Sequence, residues 1–526
     1  SRRQRQMCIR DSANPGAVTP HGMMSVVPFN VMGSEENVYD KDARWWSTPY
    51  EYHNKFFTGF AHGALSGVGC PELGALLTMA TTGPLTVDYR EYGTSYRDEK
   101  ASPGYYSVFL DKYGVLAEAT ATARSSAERY TFPEGTGHIL LNLGEGLTNE
   151  SGAMVRRVSA TEIEGTKLLG TFCYNAQKVF PVYFVLRVSK TPSAGGYWKK
   201  QRKMTGVEAE WTPDNGRYKL YTEYGRELSG DDVGYWFSFD GLAAGEQVEV
   251  RMGISYVSTE NARKNLDAEQ AADAPFDAIR EQARKGWNEA LGRIRVEGGA
   301  EQQQRVFYTA LYHALLHPNL VSDVNGEYPD LTDGQRAGSF TRDIRVKTRT
   351  LPRDAAGRVV HHMYNSDAFW LTQWNLNVLW GLGWPEMPDE MSASLIRYAD
   401  NGGLIPRGPC AGGYTYIMSG CPATPLIVSA YNKGLMRKCD PMHAFRTMQR
   451  NHMPGGMQGI GEFYLEHGYQ PKNAGMTIES NFQDWALAQM AVRLGLEDEA
   501  AYFGNRSHGW RKLYPVSYTH LRAHET

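Results

Sequence analysis

The chain has 526 residues, of which 41% are hydrophobic and 21% charged, and its formal net charge is −3. This length exceeds one ordinary hydrophobic core, so two or more domains are expected. The charge balance, without any long basic run, argues against nucleic acid as a partner, and the absence of any run of 18 apolar residues argues against a membrane span.

The two ends of the sequence differ from the rest. SRRQRQMCIRDS, residues 1–12, and VSYTHLRAHET, within residues 515–526, have no periodicity that connects them to their neighbours. Both resemble translated sequencing-adapter sequence that recurs at the ends of proteins from metagenome assemblies. We therefore expect both ends to be artefacts that make few contacts with the folded core, and we expect the natural chain to be cut at both ends.

Residues 13–257 have the pattern of a β-sandwich domain. In the clearest strand, QVEVRMGISYV, alternate apolar residues share one face: Val248, Val250, Met252, Ile254 and Tyr256. This period of two indicates a half-buried strand. Further strands are predicted at HILLNLG, from His138, and at FPVYFVLRVSK, from Phe180. Many short strands with turn residues between them predict an antiparallel sandwich.

One glycine-rich segment in this region carries a histidine of interest. The segment HNKFFTGFAHGALSGVGCPELG, residues 53–74, is predicted to be a polar loop, and its His62 stands among small residues. Small residues allow close approach of the backbone, so the loop could reach a ligand at a domain interface. The residues alone favour the alternative, a tightly packed turn whose histidine bonds a backbone carbonyl.

At Ser258 the period changes from that of a strand to that of a helix. Residues 258–298 are predicted to form linker helices, because STENARKNLDAEQAA begins with capping residues and a helical face of apolar residues follows it. Residues 299–514 are predicted to form a helical domain. Its helices are expected from Gly298 to Pro318 and at 366–382, 387–398, 425–433, 441–450, 481–494 and 497–502.

The stretch SDAFWLTQWNLNVLWGLGWPEM, residues 366–387, holds four tryptophans: Trp370, Trp374, Trp380 and Trp384. Wound as one helix, it places them within an arc of roughly 120°, together with Gln373 and Asn377. The opposite, aliphatic side includes Leu371, Leu379 and Leu382 and is expected to pack in the interior. Aromatic faces beside amides suit a sugar ring with its rim of hydroxyls. The alternative is a hydrated structural core around an inner helix.

Three further motifs each have a functional and a structural interpretation. SDVNGEYPD, from Ser322, hints at a calcium loop but lacks the closing acidic residue, so turn chemistry explains it better. Arg407 stands between two prolines in a long loop, where it suits hydroxyl or carboxylate recognition or a structural salt bridge. Asp484 could be a catalytic acid, although most such residues are caps or solvated groups. No GxSxG, Walker, GxGxxG or HExxH motif is present.

These segments together resemble glycoside hydrolase family 92, the calcium-dependent exo-α-mannosidases. Six motifs stand in the family's order between about His21 and Tyr514, among them GFAHGALSGVGCPELG, SDAFWLTQWNLNVLWGL and GGLIPRGPCAGGYTYIMSGCPA. Two departures occur: Ala64 replaces a family histidine, and Trp374 is followed by Asn375 where the commoner motif has aspartate. The resemblance implies a β-sandwich followed by an (α/α)6 barrel, whose N-terminal part would be residues 299–514.

The resemblance also implies an inverting exo-α-mannosidase that removes terminal α-linked mannose from N-glycans or mannans. The expected substrate-binding residues are His62, Trp370, Gln373, Trp374, Asn375, Asn377 and Arg407. Calcium is the expected cofactor, with its ligands mostly beyond Tyr514. The family's acid and base segments, ExNAWQY and GNxDxGQMSAW, do not occur here, so no catalytic residue is expected in this chain and the fragment is expected to be inactive.

The expected partner is a mannose-containing oligosaccharide, and the expected location of the parent protein is periplasmic, secreted or at the surface of a bacterial cell. The oligomeric state is left open. Three alternatives remain: another six-hairpin (α/α)6 glycosidase, a non-catalytic carbohydrate-binding protein, and a purely structural protein that binds no sugar.

Overall fold

The computed structural model describes residues 14–31, 48–66, 73–147, 152–172, 175–200, 218–222, 226–332, 346–366 and 369–513. The chain divides into two compact units, Ser1–Glu327 and Tyr328–Thr526. The division places the predicted linker helices in the same unit as the strands. The two adapter-like ends lie outside the described residues, so the prediction about them stays a prediction, as do the domain boundaries.

The first unit consists mainly of strands. In its described part they are β1 Ala17–Val18, β2 Ser25–Phe29, β3 Gly59–His62, β4 Ala75–Thr82, β5 Tyr96–Ser102, β6 Tyr105–Leu110, β7 Val115–Ala121, β8 Ser125–Thr131, β9 Gly135–Asn142, β10 Ala153–Arg157, β11 Glu162–Phe172, β12 Asn175–Val188, β13 Ala194–Lys200, β14 Tyr218–Tyr221, β15 Glu227–Gly230, β16 Val233–Leu242, β17 Gln247–Ser255 and β18 Asn319–Leu320.

Two antiparallel sheets contain all of these strands except β18. The described strands have the order β1-β2-β3-β4-β9-β16-β13-β14 in one sheet and β15-β10-β11-β12-β17-β8-β7-β6-β5 in the other. Phe60 of β3 contacts Tyr106 and Tyr130 of the second sheet, with ring centroids 5.9 and 6.5 Å apart. The two sheets therefore face each other across an apolar core, and the predicted antiparallel sandwich is confirmed.

The strand predictions agree with the observed strands. Strand β17 buries Val248, Val250, Met252 and Ile254, while Glu249 and Arg251 stay partly exposed. The strands predicted from His138 and Phe180 overlap with β9 and β12, and each prediction runs two residues beyond the end of the observed strand. The loop predicted over residues 53–74 is partly wrong, because its centre forms β3 and pairs with both β2 and β4.

Four described helices belong to the first unit: α1 Tyr89–Tyr92, α2 Thr259–Glu269, α3 Phe276–Leu291 and α4 Glu301–Ala314. Ser258 caps α2 by accepting a hydrogen bond from the backbone N–H of Asn261 at 3.1 Å. Helix α2 packs Ala262 and Leu266 on Val185 of the second sheet. In α3, Trp287 is fully buried and donates its indole N–H to a backbone carbonyl of β1 at 2.6 Å. The predicted linker helices thus pack on the sandwich.

The second unit is mainly helical. Its described helices are α5 Leu376–Gly383, α6 Glu386–Gly402, α7 Ala423–Asn432, α8 Pro441–Asn451, α9 Glu462–His467, α10 Ala474–Leu494 and α11 Glu497–Arg506, with 3-10 turns at Leu371–Gln373 and Gly509–Leu513. Three described short strands precede these helices in the chain: β19 Glu327–Asp330, which begins at the last residue of the first unit, β20 Lys347–Thr350 and β21 Tyr364–Asn365. Two more, β22 Pro409–Cys410 and β23 Gly413–Tyr414, lie between α6 and α7. None of the helices in the described residues is long and apolar enough to cross a membrane.

The predicted helices of this unit match α6, α7, α8 and α11. Helices α9 and α10 differ from the sequence-based expectation. Helix α10 begins at Ala474, and not at the predicted Asn481, because Asn473 caps it by accepting the N–H of Met476 at 3.2 Å. Helix α9 was not predicted, since it is only six residues long and lies between two glycines.

Candidate functional site

The tryptophan segment, residues 369–384, folds as two short pieces. A 3-10 turn spans Leu371–Gln373, and α5 begins only at Leu376. Asn375 precedes α5 with φ −147° and makes no capping hydrogen bond, and its side chain is exposed. The predicted continuous helix over residues 366–382 is therefore wrong, and residues 367 and 368 lie outside the described part.

The four tryptophans form a buried pair and an accessible pair. Trp380 and Trp384 are 0% and 3% exposed, whereas Trp374 is 60% exposed. Trp370 is half-buried and meets Trp374 edge to face, with ring centroids 5.4 Å apart and ring planes at 82°. Such an arrangement is a favoured aromatic geometry. An accessible aromatic pair therefore lies just before α5.

The aliphatic side of this segment was predicted to pack in the interior, and that prediction is wrong. Leu382 is 80% exposed, and Leu379 is half-buried. The side chain of Leu371 lies outside the described residues. The prediction assumed about 100° of rotation per residue throughout. The break at residues 374 and 375 changes this phase, so the indole rings of Trp380 and Trp384 occupy the interior instead.

Four buried polar atoms of the tryptophan segment have no hydrogen-bond partner within the described part of the chain: Trp370 Nε1, Gln373 Oε1, Asn377 Oδ1 and Trp384 Nε1. A buried polar atom left unpaired costs about 1–3 kcal/mol, so native proteins usually pair it with protein, water or ligand. The segment therefore offers two donors and two acceptors, and one of the donors belongs to the accessible aromatic pair. This combination fits the hydroxyl rim and C–H faces of a sugar.

Arg407 lies next to this segment, because its carbonyl accepts the backbone N–H of Phe369 at 3.1 Å. Its guanidinium donates to four backbone carbonyls, with N–O distances between 2.6 and 3.4 Å: those of Tyr416, Met418, Gly420 and Met457. Burial lowers the pKa of Arg407 below its ordinary value. The salt bridge was one of the two interpretations left open for Arg407; the structure shows instead a cage of carbonyls, which uses four of the five N–H groups of the side chain.

Glu479 was not among the predicted site residues, and it lies beside the loop that contains Met418, Ser419 and Gly420. Its carboxylate accepts hydrogen bonds from the hydroxyl of Ser419 at 2.5 Å and from the amide of Gln483 at 3.2 Å. The side chain is half-buried. The spacing of Glu479 and Gln483, four residues apart in a helix, places both on one face. This signal was available in the sequence, but the loop that the two residues contact was not.

Asp484 is a fully buried hub of structural hydrogen bonds. It accepts from His452 Nδ1 at 2.7 Å, from Tyr464 at 2.8 Å and from Arg506 at 2.5 and 2.7 Å. Burial alone would raise the pKa of Asp484, but the hydrogen bonds from His452 and Arg506 lower it. The other nitrogen of His452 meets the Thr424 hydroxyl at 2.9 Å. Because Asp484, His452 and Thr424 are all enclosed, this triad-like row has no access to substrate.

His62 lies in the interior of the first unit. Its Nδ1 donates to the carbonyl of Leu76, and its Nε2 contacts Glu128 Oε1, each at 2.6 Å. The other oxygen of Glu128 accepts from Thr78 at 2.8 Å and from Tyr130 at 2.5 Å. Both ring nitrogens of His62 are therefore bonded to protein groups, which agrees with the packed interpretation of its motif and not with a loop that reaches a ligand.

The structure also settles the turn at Asp323. Its carboxylate accepts hydrogen bonds from Ser255, Asn261 and Asn265 at 2.6–2.8 Å. Burial raises the pKa of Asp323 to about 6. Throughout the described ranges there is no group of three or more His, Cys, Asp or Glu side chains that could hold a metal ion. The described residues therefore offer no cluster of three acidic side chains for a calcium ion.

Two family models match the sequence. One, described as the glycosyl hydrolase family 92 N-terminal domain, matches residues 11–255, and the other, described as the family 92 catalytic domain, matches residues 261–526. The comparison with curated proteins gives no match.

Solved structures share the fold of the chain. The family GH92 α-mannosidase BT3965 from Bacteroides thetaiotaomicron, in complex with mannoimidazole, is 25% identical, with a TM-score of 0.79; the match covers 96% of this chain and 62% of that one. The inverting mannosidase BT2199 from the same organism is 23% identical, with a TM-score of 0.74, covering 95% and 62%. This chain therefore spans less than two thirds of the length of either structure.

Proposed function

The chain belongs to glycosyl hydrolase family 92, and on this premise we propose that it is part of an exo-α-mannosidase that removes terminal α-linked mannose from N-glycans or mannans. The observation that carries the proposal is the tryptophan segment, where unpaired buried polar atoms stand beside an accessible aromatic pair. The similar structure BT3965 is described as an α-mannosidase in complex with mannoimidazole, which supports mannose as the sugar.

In this proposal the tryptophan segment binds the sugar ring. Trp374 packs against its C–H face, and Trp370 donates its indole N–H to one hydroxyl. Gln373 and Asn377 accept hydrogen bonds from two others through their amide oxygens. Asn375, whose side chain is exposed and uncapped, contributes a neutral amide at the rim. The amide of asparagine can both donate a hydrogen bond to a hydroxyl and accept one from it, whereas the ionised aspartate of the commoner motif can only accept.

The hydrolytic step requires two carboxyl groups that flank the glycosidic bond. An inverting glycosidase uses one to protonate the leaving oxygen and the other to activate water, with the two roughly 6.5–9.5 Å apart. In the described helical unit, the buried carboxylates are all bonded to protein donors: Asp330, Asp389, Glu390 and Asp484. We therefore propose that the catalytic pair lies outside the described residues and that this chain alone does not hydrolyse mannosides.

Calcium is proposed for the complete enzyme only. Ca²⁺ takes six to eight oxygen ligands, and the described residues supply no cluster for them. Its ligands are accordingly proposed to lie outside the described residues, like the catalytic pair.

The assay that tests this function compares the chain with the longer protein that contains it, on an aryl α-mannoside, with calcium and with a chelator. The expected result is chelator-sensitive hydrolysis by the longer protein and no hydrolysis by the chain. Turnover by the chain would contradict the placement of the catalytic pair. Failure of the longer protein on every α-mannoside would contradict the mannosidase proposal.

A second candidate is carbohydrate binding without hydrolysis. The described residues favour it to this extent: they offer aromatic and amide groups but no unengaged pair of buried carboxylates. The same assay, combined with a titration of mannose, separates the candidates, because a pure binding protein would bind mannose while the longer protein shows no turnover.

A further inference from the structure

Arg407 holds the loop of residues 415–421, the clasped loop, which is followed by Pro422, the N-cap of α7. Three of its carbonyls, those of Tyr416, Met418 and Gly420, accept hydrogen bonds from the one guanidinium. A planar fork with fixed donor directions can reach several carbonyls at once, whereas the ammonium of lysine is a single point. The clasped loop is therefore matched specifically to arginine.

The clasped loop has an unfavourable backbone conformation. Tyr416 and Met418 have φ of 56° and 63°, in the left-handed region that favours glycine. Residues other than glycine are held there only when their surroundings enforce it. Since Arg407 bonds the carbonyl of each of these two residues, its guanidinium is placed to enforce that conformation.

The remaining contacts of the clasped loop lead to α10. Ser419 donates to Glu479 at 2.5 Å, and the backbone N–H of Cys421 donates to Gln483 at 2.6 Å. Gly420 lies so close to both side chains that a Cβ there would come within 2.6 Å of them. On its other side Arg407 joins the tryptophan segment through the N–H of Phe369. One residue thus ties the accessible tryptophan pair to the loop beside it.

We propose that Arg407 is a positioning residue of the sugar site: it does not bind the sugar but holds the clasped loop in its left-handed conformation beside the tryptophan segment. This rests on the proposed function for what the site binds. In this proposal, the side chains of the clasped loop determine which sugar the edge of the site accepts. Among them, Met418 is 46% exposed. This role of Arg407 also departs from the expectation that the residue is itself a sugar ligand.

The test is a double-mutant cycle of Arg407→Lys and Met418→Gly in the longest form of the protein, with two readouts. The first is amide hydrogen exchange in the peptide that contains residues 411–421. The second is the affinity for mannose. Arg437→Lys is the control, because this arginine is also in the helical unit and pairs with Asp389, but is 65% exposed. It should change neither readout.

Arg407→Lys should speed exchange in that peptide by about tenfold and weaken mannose affinity. Adding Met418→Gly to that variant should recover part of both losses, because glycine adopts the left-handed conformation without a clasp. The same Met418→Gly change in the wild-type background gives the reference for any direct effect of the methionine. A direct sugar ligand would not be rescued by a glycine eleven positions away.

Weakened mannose affinity with unchanged exchange would overturn the proposal and make Arg407 a ligand. Faster exchange that Met418→Gly does not reduce would also overturn it, as would no change in either readout. If the wild-type protein binds no mannose, the proposed function fails, and the exchange cycle alone still decides whether Arg407 holds the loop.

Discussion

Trp374 and Trp380 are six residues apart, and their surroundings give them different roles. Trp374 is 60% exposed and meets Trp370 edge to face, whereas Trp380 is fully buried within the helical unit. Burial of a large aromatic ring contributes stability in proportion to the area removed from water. An exposed ring contributes little and is available to a ligand.

Replacing these two tryptophans by alanine should therefore separate stability from recognition. Trp380→Ala should lower the free energy of unfolding by about 3–5 kcal/mol, because it removes a buried ring and leaves a cavity. Trp374→Ala should lower it by less than about 1 kcal/mol. Urea unfolding monitored by circular dichroism measures both. Equal losses for the two variants would contradict the assigned burial.

Glu390 is the residue whose charge should shape the acid stability of the helical unit. Burial alone would raise its pKa, but hydrogen bonds from His362 and Lys438 outweigh burial and lower the pKa of Glu390 from 4.5 to about 2. A folded-state pKa below the unfolded value means that the stabilisation is fully present above about pH 4.5. It is lost as the pH falls through about 2, and it amounts to roughly 3 kcal/mol.

Glu390→Gln should therefore be less stable than the wild type at pH 7, and the difference should shrink as the pH falls from 4.5 toward 2. Unfolding by urea at a series of pH values measures this difference. The matched control is Glu466→Gln, an exposed residue of the same unit, for which the difference should stay within about 0.5 kcal/mol. A difference for Glu390→Gln that does not change with pH would show that its charge has no such role.

Among the elements, helix α2 is attached to the second sheet by charge as well as by apolar packing. Arg263 bonds both Glu162 and Glu164 of β11, and Glu164 is only 6% exposed at its side chain. Neighbouring Lys264 pairs within the helix with Glu260, and both are largely exposed. Arg263 therefore has a buried carboxylate partner, whereas the partner of Lys264 is exposed.

Arg263→Ala should lower the free energy of unfolding by roughly 1–3 kcal/mol, since it leaves a buried carboxylate with fewer donors. Lys264→Ala should change it by less than about 1 kcal/mol, as for other exposed pairs. Thermal unfolding of both variants under one buffer compares them directly. A larger effect of Lys264→Ala would mean that helical pairing, and not attachment to the sheet, dominates.

Helices α8 to α11 meet at Asp484, whose partners come from three other segments of the chain. Asp484→Asn keeps the shape but leaves Arg506, 3% exposed at its side chain, without its counter-charge. The expected loss of stability is about 3–5 kcal/mol.

Urea unfolding of Asp484→Asn measures this loss, with Asp400→Asn as the control because Asp400 is partly exposed in its ion pairs. If Asp484→Asn folds with unchanged stability, the residue is not the structural hub described here.

At the scale of the whole molecule, the order of β-sandwich and helical unit could be predicted, because strands and helices differ in their apolar period. The buried face of β17 followed from that period alone. The break of the tryptophan segment at residues 374 and 375 did not, since no glycine or proline marks it. The sequence pattern of one segment does not show which large aromatic rings will be buried by packing against other helices.

The residue types of the candidate site could be predicted from the sequence, but the role of each residue could not. The aromatic and amide composition of the tryptophan segment predicted a sugar site, and Trp374 is accessible as such a site requires. Arg407 and His62 were expected beside the sugar. Their hydrogen-bond partners are backbone carbonyls and a carboxylate distant in sequence, which no local motif specifies.

We expect the tryptophan segment of this family 92 chain to bind mannose through Trp374. Isothermal titration of mannose into the wild-type protein and into Trp374→Ala, with glucose as the matched epimer, tests it most directly. We expect the wild-type protein to bind mannose in preference to glucose, and removal of the ring to weaken mannose binding at least about tenfold, or about 1.4 kcal/mol. Equal binding of both sugars, or unchanged mannose affinity in Trp374→Ala, would contradict it.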